Sequence, residues 1–366
     1  MLALKTKCIY LRKMKKLVFI ANIRLPTEKA HGLAVMKMCE AFANQGIETT
    51  LVVPRRLNRV KVDPFEYYEI ERVFKLKRLP SLDLVWFGKL GFLIQWFSFA
   101  KMVALYSIIH KDDIYYGRDE LSLLFVNFLG RKIFWEAHNM KDNWIVRNLI
   151  KNAQGVVSIN KELENHYVGL GAARDKSLVV PSGVDLGMFE SVTARKVDLR
   201  KKLNLPTDKK IVAYVGRLNA MGHSKGLEGI DSAFGFLNTK RKDIFTMMVS
   251  NVHPKEVPSY MKASDVLIMN YPSDEYHHFM SPLKMFEYMA SVVPITTSDV
   301  TSIREILDDD TAFFCKPNDY KDLAKSILYA LDNPQEAISK AKKAFEKVKM
   351  FSWSNRAKIV TNFIND

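Results

Sequence analysis

Residues 281–297 read SPLKMFEYMASVVPITT. Serine is a residue type that caps helices, and proline suits the first helical position, where its missing N–H costs nothing. A helix is therefore expected over Pro282–Ala290, with Ser281 as its cap. A β-branched strand, Val293–Thr297, follows almost at once. Reading outward, the same alternation recurs on both sides. Upstream lie strands Ile211–Val215, Phe245–Ser250 and Val266–Met269, with helices Lys225–Leu237 and Lys255–Lys262 between them. Downstream come strand Phe313–Cys315 and helices Lys321–Leu331, Pro334–Val348 and Trp353–Ile364. The first half repeats the pattern, with strands at Leu17–Ala21, Ile47–Val53, Ile114–Tyr116, Lys132–Trp135, Val156–Ile159 and Leu178–Val180. Alternating strands and helices of this length argue for parallel sheets covered on both faces, an α/β class.

The chain has 366 residues, enough for two domains with cores of their own. The boundary is expected near Val192–Val197, giving 1–194 and 195–350, with a last helix in 351–366 crossing back to the first domain. Residues 1–13 read as an extension, because Met14-Lys15-Lys16-Leu17 looks like a natural start. Three widely spaced cysteines, Cys8, Cys39 and Cys315, support neither a disulfide framework nor a zinc site and fit a reducing compartment.

Charge is the unusual feature. The chain carries 55 Lys+Arg against 40 Asp+Glu, a net +15. Residues 1–190 hold 29 of the bases and 19 of the acids, so the first half is the more basic. Such a field favours anionic partners. The bases are scattered and no nucleic-acid-binding motif is present, so nucleic acid is not the expected partner. The apolar stretch 84–109, LVWFGKLGFLIQWFSFAKMVALYSII, is interrupted by Lys89 and Lys101. Two readings stay open: a buried helix, or a helix lying in a membrane interface with its lysines reaching to the headgroups.

In open α/β sheets, ligands bind beyond the carboxyl ends of strands, so loops there carry the chemistry. Gly216-Arg217 directly follows strand Ile211–Val215, and Lys225-Gly226 opens the next helix; such cations can grip a diphosphate. The amides behind Ser281 and Pro282, at Leu283 and Lys284, form an anion site, and Glu287 within that helix can accept hydrogen bonds from ribose hydroxyls. Pro181-Ser182-Gly183-Val184-Asp185 sets Asp185 at a strand end. Trp135-Glu136-Ala137-His138-Asn139 does the same for His138. Pro26 to Gly32 joins the first strand to the first helix, where Gly32 leaves backbone amides approachable. Each is also compatible with an ordinary turn, cap or surface pair; the joint pattern carries the weight.

That pattern resembles the retaining glycosyltransferases of family 4. The resemblance covers nearly the whole chain from about Met14. Its most specific pieces are Pro181–Asp185, Tyr214-Val215-Gly216-Arg217-Leu218 with Lys225-Gly226, and Ser281–Ala290 followed by Val293-Pro294-Ile295. It implies the GT-B fold, two facing Rossmann-like domains with a cleft between them, the second here about one βα unit short. It further implies that Arg217 and Lys225 hold the donor diphosphate and that Glu287 binds the ribose. The amides around Pro282 and Leu283 would face the phosphates. His138 would stand near the transferred sugar, with Asp185 beside it among the catalytic candidates, and Gly32 would approach the donor from the first domain. No metal and no cofactor are implied; the donor is a UDP-, GDP- or other nucleotide sugar. Cations and helix dipoles would stabilise the leaving diphosphate. Many members carry a second Glu eight residues before the position of Glu287, where this chain has Phe279.

The expected activity is transfer of a sugar to a glycan or lipid-linked acceptor in cell-surface polysaccharide synthesis. The expected place is the cytoplasm, peripheral on the inner face of an anionic membrane. Phe279 and the short second domain keep open a non-catalytic binding relative, and the same fold also suits a nucleotide-sugar epimerase.

Overall fold

The computed structural model describes residues 16–111, 113–218 and 226–366. The extension proposed for 1–13, Cys8 and Lys225 lie outside the described residues. The chain forms two compact units. One holds residues up to Ser158, Glu164–Val180 and Arg356–Asp366; the other holds Ile159–Leu163 and Pro181–Asn355. Residues 181–191, upstream of the Val192–Val197 stretch, pack with the second unit. There Val184 pairs with Ser352, and Phe189 is buried in the second unit's core.

The first unit is built on a seven-stranded parallel sheet. Its strands are β1 (Lys16–Ile20), β2 (Glu48–Pro54), β3 (Lys75–Leu79), β4 (Ile114–Gly117), β5 (Ile133–Ala137), β6 (Gly155–Ser158) and β7 (Ser177–Val179). They lie in the order β3-β2-β1-β4-β5-β6-β7. The central strands are continuous apolar runs because helices cover both faces; four of the five β1 residues are buried. Strand β3, sequence KLKRL, is absent from the reading of the sequence because its lysines and arginine mask the apolar alternation. It is an edge strand, where exposed cations guard unpaired backbone groups against further pairing.

The second unit has five parallel strands: β8 (Lys210–Val215), β9 (Ile244–Val249), β10 (Val266–Met269), β11 (Ile295–Ser298) and β12 (Phe313–Cys315), in the order β12-β11-β10-β8-β9. One face packs on helices Leu283–Ala290 and Pro334–Val348, the other on Leu227–Lys240 and Tyr320–Asp332. The missing βα unit is a finding of the structure as well, since helix Leu227–Lys240 leads directly to β9. Strand order reverses between β1 and β4 in the first sheet and between β8 and β10 in the second. Those two switch points are where an open sheet leaves room for a ligand.

Helix Gly88–Ile109 settles the question raised by the apolar stretch. It is not a buried helix. Only 28% of its most apolar window is buried, and large apolar side chains along it face outward.

Candidate functional site

At the second switch point, β8 ends at Val215 and Gly216 turns with φ +154°. A β-carbon on Gly216 would fall 2.7 Å from Cε of Lys284, so the absent side chain makes the space the lysine occupies. The Lys284 ammonium sits 3.5 Å from the centroid of the Tyr214 ring, with Tyr271 beyond it at 6.0 Å. The negative face of an aromatic ring attracts a cation placed over it. Arg217 is half-buried, its carbonyl accepting from the Tyr214 hydroxyl at 2.9 Å. In the sequence Tyr214 appears only as part of a strand-end motif, and Tyr271 is not singled out.

Helix Leu283–Ala290 carries Lys284 and Glu287, one turn apart on neighbouring positions. Burial lifts the Glu287 carboxyl above its ordinary value, and Lys284 partly offsets this. The helix is pinned to the sheet by Tyr288. Its hydroxyl accepts from the Val215 amide at 2.8 Å and bonds the Val215 and Ile268 carbonyls. Ser281 does not cap this helix, contrary to expectation. Its hydroxyl accepts from the Ser182 amide at 2.9 Å, and its carbonyl accepts from the Ser182 hydroxyl at 2.8 Å. Pro282 takes the cap position and Leu283 is the first helical residue. Ser281 thus ties the 181–185 turn to the helix start. Asp185, at the end of that turn, caps the short helix Leu186–Glu190 by accepting from the Met188 amide at 3.3 Å. Gly226, with φ +65°, opens helix Leu227–Lys240; its carbonyl accepts from the Asn270 side-chain amide at 3.0 Å.

In the first unit, β5 ends in Glu136-Ala137, with His138 just beyond. Residues two apart on a strand share a face, and the His138 Nε2 lies 2.5 Å from Glu136 Oε1. The carboxylate is fully buried and also receives Arg118 at 2.9 Å, Arg356 at 3.2 Å and the Tyr116 hydroxyl. Burial alone would raise the Glu136 pKa, but Arg356, Arg118 and His138 together hold it well below the carboxylate range. Burial and the neighbouring Arg118 push His138 down to about 4, against the opposing pull of Glu136. The ring is therefore neutral at pH 7. An ionised carboxylate only accepts, so Nε2 carries the ring proton and Nδ1 is left as an acceptor for a hydroxyl.

Beside this network, at the first switch point, a small cavity of about 110 Å³ is lined by Ala21, Asn22, Ile23, His31, Val35, Arg118 and Asp119. Arg118 is held beside β1 because its amide donates to the Ile20 carbonyl. Burial raises Asp119 to about 6, with Glu120 adding to the rise; the carboxylate accepts from the Trp96 indole and the Ser122 amide. Gly32 has a local role: a β-carbon there would meet the Tyr68 hydroxyl at 2.2 Å, and that hydroxyl bonds both backbone groups of Thr27. Among the described residues no group of three His, Cys, Asp or Glu side chains is placed to hold a metal. The Glu136-X-His138 spacing was visible in sequence, whereas Arg356 is 220 residues away and gave no signal.

Residues 237–333 match the family described as glycosyl transferases group 1. Over 195 residues the chain is 25% identical to a protein named as a teichuronic acid biosynthesis glycosyltransferase, TuaC of Bacillus subtilis, covering 50% of this chain and 48% of that one. It is 22% identical over 261 residues to a D-inositol 3-phosphate glycosyltransferase of Corynebacterium aurimucosum, covering 63% and 60%. The chain thus spans about half the length of these relatives. Among solved structures, sucrose-phosphate synthase from Thermosynechococcus elongatus superposes with TM-score 0.75 at 18% identity, covering 96% and 98% of the two chains. HepE of Anabaena in complex with UDP-glucose does so with TM-score 0.69 at 13% identity, covering 95% and 99%. At such identities the superpositions establish the fold, which is GT-B.

Proposed function

We propose that this chain, whose 237–333 segment matches the glycosyl transferases group 1 and whose fold is GT-B, moves a sugar from a nucleotide-diphosphate sugar to a glycan or lipid-linked acceptor. The observation that carries the reading lies at the second switch point, where the Lys284 ammonium seats on Tyr214 at the end of β8, one turn from Glu287 on its helix, and Arg217 follows Gly216 in the chain. Two cations suit a diphosphate, and a carboxylate suits the adjacent ribose hydroxyls. As the bond from the sugar to the diphosphate breaks, negative charge grows on the leaving phosphate. Fixed cations facing it stabilise that charge more in the transition state than in the ground state. Lys225, directly before Gly226, is assigned to the same phosphates. In the first unit, Nδ1 of neutral His138 accepts a hydroxyl of the transferred sugar. Its neutrality matters, because an imidazolium there would repel an oxocarbenium-like centre.

The reaction as proposed retains configuration, with the acceptor attacking the face the diphosphate leaves, and uses no metal. The neighbour HepE is described as holding UDP-glucose, which makes UDP-sugars the first donors to try. The test is a thermal-shift and calorimetric panel of UDP, GDP and their sugars, with and without chelator. Stabilisation by one nucleotide family, insensitive to chelator and weakened about 10-fold or more in Arg217→Ala, supports the donor site; a charge-assisted contact of about 1.5–3 kcal/mol sets that scale. Absence of any nucleotide-dependent shift would favour the binding-only reading that Phe279 suggests.

A further inference from the structure

Helix Gly88–Ile109 presents an outer face that water does not explain. Trp86, Leu90, Leu93, Phe97, Leu105 and Ile108 recur at helical spacing and are all exposed, between 45% and 69% of their surface. Lys101 occupies the one remaining step of the same stripe. A contiguous apolar face of this length marks an interaction surface. The most apolar window of Val85–Ile109 has a mean hydropathy of 1.6, and the segment is long enough to cross a membrane. Crossing is excluded by its other side. Gln95, Phe99, Ala100, Val103 and Ser107 are fully buried against the first unit. Gln95 also donates to Asn22, and Trp96 donates to Asp119. A helix anchored along one side cannot be ringed by lipid; it can only lie flat with the opposite face immersed.

We infer that this face docks on an anionic lipid surface. Between residues 84 and 111 there is no Asp or Glu, and Lys89, Lys101 and Lys111 are all exposed. A flat helix sinks its apolar face about 5–10 Å into the boundary between headgroups and acyl chains, where long lysine stems carry their ammoniums back to the phosphates. Trp86 at its start is an amphipathic aromatic of the type that settles at that depth. The charge pattern also disfavours a second copy as occupant. An antiparallel two-fold contact centred on the stripe would bring Lys89 of one copy against Lys101 of the other, twice, in a protein already at +15.

The test is co-sedimentation of the full chain with vesicles of phosphatidylcholine containing phosphatidylglycerol, and with phosphatidylcholine alone, at low and high salt. Retention on the anionic vesicles is expected, falling with salt. Leu90→Glu with Phe97→Glu removes the apolar anchor and should lower partitioning at least about 10-fold. Lys89→Glu with Lys101→Glu leaves that anchor intact and should lower it about as much on anionic vesicles only. Ile338→Glu, at an exposed apolar position of the second unit, should change nothing, and melting curves verify that the variants fold. Equal retention on neutral vesicles overturns the inference, as does retention on neither. So does light scattering that finds a dimer abolished by Leu90→Glu/Phe97→Glu. None of these outcomes depends on whether the chain transfers sugar.

Discussion

At the residue scale the most consequential group is Glu136. A buried carboxylate among two guanidiniums, a phenol and an imidazole is balanced as found and costly when one member is removed. Glu136→Ala leaves Arg118 and Arg356 without their shared anion. It should destabilise the chain by about 3–5 kcal/mol, read by chemical denaturation; a loss under about 1 kcal/mol would show the network to be dispensable. His138 makes a pH-dependent prediction. Its folded pKa, about 4, lies below the unfolded value near 6.5. The unfolded chain therefore binds the proton first, and stability falls as pH drops from about 6.5 to about 4. Asp119, raised to about 6 by burial, contributes with the opposite sign in an overlapping range. The informative measurement is thus the difference between the parent chain and His138→Gln. The variant should lose stability less steeply over that window, and identical slopes would contradict the assignment. Legibility at this scale was uneven. Arg217, Glu287 and His138 declared themselves by following strands or helix caps. Lys284 was visible as part of a motif, but its seat on Tyr214 was not, because nothing local distinguishes that tyrosine from a core residue.

At the element scale, helix Leu283–Ala290 packs on the sheet through apolar side chains and is hydrogen-bonded to it through one phenol. Tyr288→Phe leaves the buried Val215 amide without its side-chain acceptor, a cost of about 1–3 kcal/mol in stability. The two glycines flanking the site separate steric from functional roles. Gly226→Ala would place a β-carbon 1.8 Å from the Asn270 carbonyl oxygen at a left-handed φ, so the chain should fold poorly. Gly216→Ala meets only the far end of the Lys284 side chain, which can swing away. Gly216→Ala should therefore lose nucleotide affinity out of proportion to its change in melting temperature, though its own positive φ adds some strain. Equal effects of both variants on melting would reject this distinction. Most strands were readable because helices on both faces make them continuous apolar runs. Strand β3 was hidden because an edge strand needs charge more than burial, and the Ser281 cap was misassigned because a serine hydroxyl serves a tertiary partner as readily as a helix amide.

At the scale of the whole molecule, the chain's last segment belongs to its first unit. Arg356 reaches Glu136, and Phe363 packs on Phe134 and over Gly155, where a β-carbon would come within 2.5 Å of its ring. Deleting residues 356–366 should thus damage the first unit. Limited proteolysis should cleave it preferentially while Pro181–Asn355 stays protected, and uniform protection would argue against that dependence.

The amino-acid sequence by itself determined the class of fold and the loops that carry the candidate chemistry. Both follow from local patterns: apolar period, capping residues, glycine and proline at turns, and cations just past strand ends. Only the tertiary structure decided which of those residues meet. It decided that Lys284 rests on Tyr214, that Arg356 shares an anion with Arg118, and that an apolar helix turns one face to the protein and the other outward. Contacts between residues tens or hundreds of positions apart are fixed by packing of the completed sheets, and no window of sequence contains them.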